Sequence, residues 1–237
     1  MEAERENFLV SIVLPTYNER DNIVPLVQLI HECVKSHNHE IIVADDNSPD
    51  GTYQALVDLN KGYLKPILRT EDRGFAKSIR CGIENSNGDI IIVMDSDFNH
   101  QPKYLPFMID AVQHYDCVSA SRFVYGGQMN SRTRHYLSWI FNIFTRALTG
   151  GKVTDSLYGY FAINRDVIEL VDYDKVFFGY GDYCIRLYFY LQKDNISMLQ
   201  FPAVNGERVA GEGNSNFIKV FRQYFIAVLK LVLKERI

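Results

Sequence analysis

The chain has 237 residues, 47% of them hydrophobic and 23% charged, enough for one large domain or for one domain with an elaborated C-terminal part. Its net charge is −4 and its pI about 5.9. It therefore lacks the basic footprint that general nucleic-acid binding needs, and no nucleic-acid partner is expected.

In chain order, the hydrophobic pattern predicts a strand at residues 8–14, a helix at 20–36, a strand at 40–44 and a helix at 51–59. A short strand at 64–68, a helix at 75–85, a strand at 90–94, a helix at 102–114 and a strand at 117–120 follow. The strands at 40–44 and 90–94 carry continuous apolar runs, as in strands buried on both faces of a parallel sheet. This alternation predicts an α/β fold with a doubly wound, mainly parallel sheet flanked by helices. The second half is less regular. It predicts an aromatic-rich helix at 134–148 ended by Gly150 and Gly151, and a strand-like stretch at 158–163. A helix at 183–192, a strand at 196–201, a polar loop at 205–216 and a final helix complete the chain.

Cys33, Cys81, Cys117 and Cys184 have neither metal-ligand nor redox spacing and read as reduced core thiols in a cytosolic setting. The acidic N-terminus is not a signal-peptide pattern, and no uncharged apolar stretch reaches the ~18 residues of a membrane span.

Acidic pairs stand at two strand ends: Asp45 with Asp46, and Asp95 with Asp97. Ligands of open α/β sheets bind outside the carboxyl ends of the strands. Side chains alternate along an extended segment, so Asp95 and Asp97 share one side and can reach one Mg²⁺ or Mn²⁺. Asn99, two residues on, is a candidate neutral ligand. The competing reading is a polar strand end whose side chains cap the next helix. After the first strand, residues 14–22 contain no glycine, and no Walker A sequence occurs in the chain. Phosphates are therefore expected to be held by a bridging metal rather than by a glycine-rich loop. Asn18 and Asp21 stand here, either near those phosphates or as helix caps. Arg73, Gly74 and Lys77 open the third helix, where a helix N-terminus and two cations suit an anion or form a solvated helix start. Arg122 follows the fifth strand, and Arg132, Arg134 and Arg208 are further cations suited to phosphate.

Together these residues resemble the inverting family-2 glycosyltransferases of the GT-A fold, and within them the dolichol- or polyprenol-phosphate sugar transferases, such as dolichyl-phosphate mannose synthase. The matched segments are residues 15–19, 43–52, 94–102, 121–124 and 154–161. The resemblance implies that Pro15, Tyr17, Glu19 and Asp46 contact the nucleotide, with Asp45 beside them and Asn18 and Lys77 in the same donor site. It implies that Asp95 and Asp97 bind the metal and diphosphate, with Asn99 where the mannose synthases usually carry Gln. Arg122, Arg132 or Arg134, and Arg208 fall where such enzymes carry acceptor- or diphosphate-binding cations. Two departures stand out. Tyr158, Gly159 and Tyr160 replace the usual Gly-Gly or Gly-Ser before an aromatic, and nothing resembles the family's membrane-spanning C-terminal hairpins.

The expected activity is metal-dependent transfer of a sugar from a GDP- or UDP-sugar to a polyprenyl phosphate, with Asp97, Arg122, Asp155 and Arg208 as the catalytic set. A phosphate acceptor is already ionised at neutral pH. A hydroxyl acceptor would need a base, with Asp155 or Asp182 as candidates. The alternatives are transfer to a saccharide hydroxyl in cell-surface polysaccharide assembly, or an inactive nucleotide-sugar-binding partner subunit.

Residues 1–215 are expected to form the GT-A domain and residues 216–237 an amphipathic helix. In that helix Phe217, Phe221, Tyr224, Phe225, Val228 and Val232 recur at helical spacing among Lys219, Arg222, Lys230, Lys234 and Arg236. Such a helix can lie on an anionic membrane, contact another subunit, or pack on the core. Tyr136, Trp139, Phe141 and Phe144 are expected to extend the same surface. The resulting expectation is a cytoplasmic protein, peripheral on the cytoplasmic face of a membrane, as a possible homo-oligomer or with a membrane-anchoring subunit, and with no donor-site residue in the last helix.

Overall fold

The computed structural model describes residues 8–206 and 217–235. The chain runs β1 (Leu9–Thr16), α1 (Arg20–Val34), β2 (Asn38–Asp45), α2 (Thr52–Leu59), β3 (Leu64–Leu68), α3 (Phe75–Glu84), β4 (Ile90–Val93) and α4 (Leu105–Ala111). It continues β5 (Cys117–Ser121), α5 (Arg132–Thr149), β6 (Phe161–Asn164), α6 (Arg165–Ile168), α7 (Tyr173–Val176), α8 (Tyr183–Lys193), β7 (Met198–Pro202) and α9 (Phe217–Glu235). Among the described residues, seven strands make one sheet in the order β3-β2-β1-β4-β6-β5-β7.

Strands β3, β2, β1 and β4 are parallel, as the βα alternation predicts. All four residues of β4 are buried. Helix α1 covers one face of this part through Ile23, Leu26, Val27, Ile30 and Val34, spaced at three and four residues. The other half differs from a purely parallel sheet. Strand β6 enters between β4 and β5 and is antiparallel to both. It begins at Phe161 rather than at residue 158, because Tyr158 and Tyr160 leave the strand path to pack against His100.

The four-residue helices α6 and α7 are too short to show in a periodic pattern. The predicted helix at 102–114 is a 3₁₀ turn over Pro102–Tyr104 followed by α4. All four cysteines are free thiols, two buried and two half-buried.

Helix α9 packs on α5. The Phe141 and Phe221 rings meet edge to face at 4.9 Å, and Phe144 stacks on Phe225 at 5.0 Å. Val228, Leu231 and Val232 are buried with Phe141 and Ile185 in a core cluster of their own. This corrects the expected orientation. Phe141, Phe144, Tyr224, Val228 and Val232 face the interior, whereas Tyr136, Trp139 and Phe225 of the expected surface are exposed, beside Ile140, Ile143, Ile226, Leu229 and Leu233. Among the described residues, no helix is long and apolar enough to cross a membrane.

Candidate active site

Pro15, Asp45, Asp46, Asp95, Asp97 and Arg122 stand at or just beyond the carboxyl ends of β1, β2, β4 and β5. Pro15 lies in β1, and its carbonyl accepts a hydrogen bond from Ser96 Oγ at 2.9 Å, tying the end of β1 to the residues after β4. Asn18 takes a left-handed conformation (φ 58°) and donates its N–H to Ser48 Oγ at 2.8 Å. Ser48 donates its N–H and hydroxyl to Asp45, at 2.8 and 2.5 Å. Asp45 is fully buried, and that burial raises its pKa against the opposing effect of the Ser48 hydrogen bonds. Asp45 thus knits the loops after β1 and β2 together. Glu19 is buried. Its N–H donates to Thr52 Oγ1 at 3.1 Å, and its carboxylate accepts from Asn22 Nδ2 at 2.6 Å. Tyr17 is half exposed, with the Arg73 guanidinium 5.3 Å from its ring centre.

Asp46 has a partner that the sequence reading missed. Its carboxylate accepts from Arg69 Nη1 and, at 2.7 Å, from the Gly74 N–H. Arg69 is buried and also reaches Ser78 Oγ at 2.7 Å and the Asp72 carbonyl at 2.6 Å. Gly74 adopts φ 144°, a conformation that L side chains rarely take, and so brings its N–H to the carboxylate. The available signal was a lone arginine directly after an apolar strand, on the same sheet edge as the aspartates. Lys77 is ion-paired to Asp72 in the same cluster.

After β4, the Asp95 N–H donates to His100 Nδ1 at 2.8 Å, and His100 Nε2 stands 3.5 Å from Asp95 Oδ2. Nδ1 accepts, so the proton of the neutral imidazole sits on Nε2. His100 is buried beside Tyr160, nearly parallel at 4.8 Å, and Tyr158, edge-on at 4.4 Å, and burial pushes its pKa down to about 3. His100 was absent from the predicted site. Asp97 accepts from the Asn99 N–H at 3.1 Å and from Asn99 Nδ2 at 2.7 Å. The amide nitrogen of Asn99 is therefore committed to Asp97, which leaves its Oδ1 for any cation. Among the described residues there is no group of three or more His, Cys, Asp or Glu arranged to hold a metal. The donors that are present, two carboxylates and one amide oxygen, are all hard oxygens. They fit Mg²⁺ or Mn²⁺ if a ligand's phosphate oxygens complete the shell.

Arg122, at the end of β5, is buried and bidentate to Asp155, Nε to Oδ2 at 2.7 Å and Nη2 to Oδ1 at 2.9 Å. Its N–H also donates to Asp155 Oδ2 at 3.0 Å, and its guanidinium lies 4.6 Å from the Tyr158 ring centre. The Tyr158 hydroxyl donates to the Asn99 carbonyl at 3.2 Å, linking this pair to the Asp97 loop. Asp182 is ion-paired to the buried Arg186 and accepts from the Tyr180 N–H at 2.8 Å. Both candidate bases are therefore held by arginines. Arg132 and Arg134 are exposed in the first turn of α5. Arg208 lies outside the described residues. Gly206, described just before it, donates its N–H to the Asn99 carbonyl at 2.9 Å.

The chain is similar to the dolichol-phosphate mannosyltransferase of Pyrococcus furiosus, 29% identical over 95% of this chain and 64% of that protein. It thus spans about two-thirds of that relative's length. It is 30% identical to the undecaprenyl-phosphate mannosyltransferase of Micrococcus luteus, over 86% of each chain. It is 31% identical to the polyprenol monophosphomannose synthase of Mycolicibacterium smegmatis, over 84% of this chain and 78% of that one. Its fold superposes on glucosyl-3-phosphoglycerate synthase from Mycobacterium tuberculosis, solved with Mn²⁺, UDP and phosphoglyceric acid. The TM-score is 0.71 at 18% identity, over 95% of this chain and 78% of that one. Mannosyl-3-phosphoglycerate synthase from Rubrobacter xylanophilus gives 0.71 at 20% identity, over 96% and 75%. These superpositions establish the GT-A fold. The model of glycosyl transferase family 2 matches residues 11–171, and with those aspartates at the strand ends the chain belongs to that family and is a glycosyltransferase.

Proposed function

We propose that this enzyme moves one sugar, with inversion, from a GDP- or UDP-sugar to the phosphate of a polyprenyl phosphate. The observation that carries the reading is the state of the two candidate bases. Asp155 is bidentate to Arg122 and Asp182 is paired with Arg186. Each candidate base is therefore neutralised by a guanidinium, and neither is a free carboxylate. That suits an acceptor that arrives ionised and needs no proton removed. The named relatives, which act on polyprenyl-type phosphates, support the same choice.

In this reading the nucleotide lies over the ends of β1 and β2, against Pro15, Tyr17, Asn18, Glu19, Asp45 and Asp46, with Lys77 at the rim. Asp95, Asp97 and the Asn99 oxygen would hold Mg²⁺ or Mn²⁺, which would offset charge on the leaving diphosphate. Asp155 aims the Arg122 guanidinium, and Arg132, Arg134 and Arg208 are further phosphate partners. His100, packed between Tyr158 and Tyr160, fixes the Asp95 backbone so that the carboxylate keeps its direction.

Residues 1–215 form the catalytic domain, and the segment 216–237 completes it. The exposed apolar strip of α5 and α9, with Arg222, Lys230 and Lys234 beside it, rests on the anionic cytoplasmic face of a membrane, where the acceptor lies. The direct test incubates purified protein with GDP-[¹⁴C]mannose or UDP-[¹⁴C]glucose, Mn²⁺ and a polyprenyl phosphate. Label should enter the organic phase only when the polyprenyl phosphate is present. Label passing to a saccharide hydroxyl acceptor instead would overturn this reading.

A further inference from the structure

Two strands, β6 and β5, lie between β4 and β7 in the sheet, yet the segments that follow β4 and β7 are tied to each other. Gln101 Nε2 donates to the Val204 carbonyl at 2.5 Å, and the Val204 N–H donates to Tyr104 Oη at 3.1 Å. The Gly206 N–H donates to the Asn99 carbonyl at 2.9 Å. Residues 128–130 anchor the segment 203–206 from its other side. The Gln128 N–H donates to the Ala203 carbonyl at 3.0 Å, and the Asn205 N–H to the Gln128 carbonyl at 3.3 Å. Asn130 Nδ2 donates to the Gly206 carbonyl at 3.2 Å.

The end of this segment bears on a strained point. Phe98, between Asp97 and Asn99, has φ 66°, in the left-handed region that a bulky side chain rarely adopts. Such a backbone persists only where its surroundings over-determine it. A Cβ added to Gly206 would lie 2.0 Å from the Phe98 carbonyl oxygen and 3.1 Å from Gln101 Cγ, so backbone meets backbone there at a distance that only glycine permits. The hydrogen bonds then run inward. The Asn99 carbonyl accepts from Gly206 and from the Tyr158 hydroxyl, and the N–H and Nδ2 of Asn99 hold the Asp97 carboxylate. Groups behind a metal ligand orient it, and their loss weakens metal binding. We propose that residues 203–206 brace the Asp97–Asn99 turn in its cation-binding form, and that Gly206 is a positioning residue for the cation. This inference rests on the cation assignment made above. It gives the chain beyond β7 a share in metal affinity without supplying a ligand from residues 203–206.

The test uses the whole chain carrying Gly206→Ala, which drives a methyl group at the Phe98 carbonyl, or Gln101→Leu, which deletes the link to Val204. Electron paramagnetic resonance of free Mn²⁺ gives the metal affinity in the presence of GDP or UDP, and calorimetry in EDTA gives the affinity for the same nucleotide without metal. Gly206→Ala should weaken Mn²⁺ binding by about 10- to 100-fold, as loss of a group behind a metal ligand does. Gln101→Leu should weaken it by about 2- to 10-fold, the effect of one hydrogen bond. Metal-free nucleotide affinity should be unchanged in both. Unaltered Mn²⁺ affinity in the folded variants would overturn the proposal. An equal loss of metal-free nucleotide affinity would also overturn it, because the segment would then serve the fold as a whole. Should Gly206→Ala fail to fold, Gln101→Leu decides on the same two readouts. Should the unaltered chain take up no Mn²⁺ with either nucleotide, the cation assignment itself falls, and this proposal with it.

Discussion

Arg122 and Asp155 meet edge to edge, at 2.7 and 2.9 Å, with Asp155 fully buried and the guanidinium facing the Tyr158 ring. The pair fixes the guanidinium at the end of β5 and uses both oxygens of the carboxylate. Removing one partner of a buried ion pair strands the other. Asp155→Ala should therefore cost about 3–5 kcal/mol in urea denaturation and lower transfer as well. Arg122→Lys keeps the charge but loses the fork, and should fold while transferring more slowly. If Asp155 were instead a proton acceptor, Asp155→Asn would abolish turnover with stability unchanged.

Asp97→Asn removes one anionic oxygen from the predicted cation site while keeping the shape of the side chain. Transfer should fall on the order of 100-fold or more, because several kcal/mol of charge stabilisation are lost. The melting temperature should stay where it was. Full activity in EDTA, or near-normal activity in the variant, would remove the metal from the reaction.

The Asp46–Arg69 pair separates binding from folding. Asp46→Ala should weaken nucleoside diphosphate binding and, by stranding buried Arg69, destabilise the fold by about 3–5 kcal/mol. Adding Arg69→Met should recover most of the stability but not the binding. Calorimetry on the double variant decides the matter. Restored affinity would make Asp46 a purely structural residue.

Asp45 sets a pH dependence. Burial, the largest cause, raises its folded pKa above the ordinary carboxylate value near 4. The folded state thus holds the proton more tightly than the unfolded state does. Stability from this group is fully present below the unfolded pKa and is lost as pH rises through the folded one. Asp45→Asn should therefore be more stable than the parent at pH 7, with the advantage vanishing toward pH 4. Denaturant midpoints across that range measure it. A larger advantage at pH 4 than at pH 7 would reverse the sign and refute the argument.

Helix α9 has two apolar faces with different fates. Leu231 is buried, so Leu231→Ala should cost about 2–5 kcal/mol. Leu233 is 63% exposed, so Leu233→Glu should change stability by no more than about 0.5 kcal/mol. If the exposed strip meets a membrane, that variant should co-sediment less with anionic liposomes, and parental binding should fall as salt rises. Because Val228, Leu231 and Val232 are core residues, deleting residues 217–237 should destabilise the whole protein rather than merely detach it.

The local features of this protein were determined by sequence alone. Strand β4 and the 41–44 stretch of β2 are unbroken apolar runs, as a strand buried on both faces requires. Acidic pairs directly after such runs fall at carboxyl ends whatever the rest of the chain does, so the place of the candidate site was legible in the sequence, and the family in the resemblance of its motifs. Partnership and direction belonged to the tertiary structure. Arg69 meets Asp46 across 23 residues, Arg122 meets Asp155 across 33, and Tyr224 reaches Gly181 from the last helix. β6 runs antiparallel because the chain re-enters the sheet between two strands already in place. Helical spacing told that α9 had apolar residues on more than one side. Which side faced inward was decided only by the aromatic surface of α5 and by Ile185 of α8, because burial depends on neighbours that no stretch of sequence carries with it.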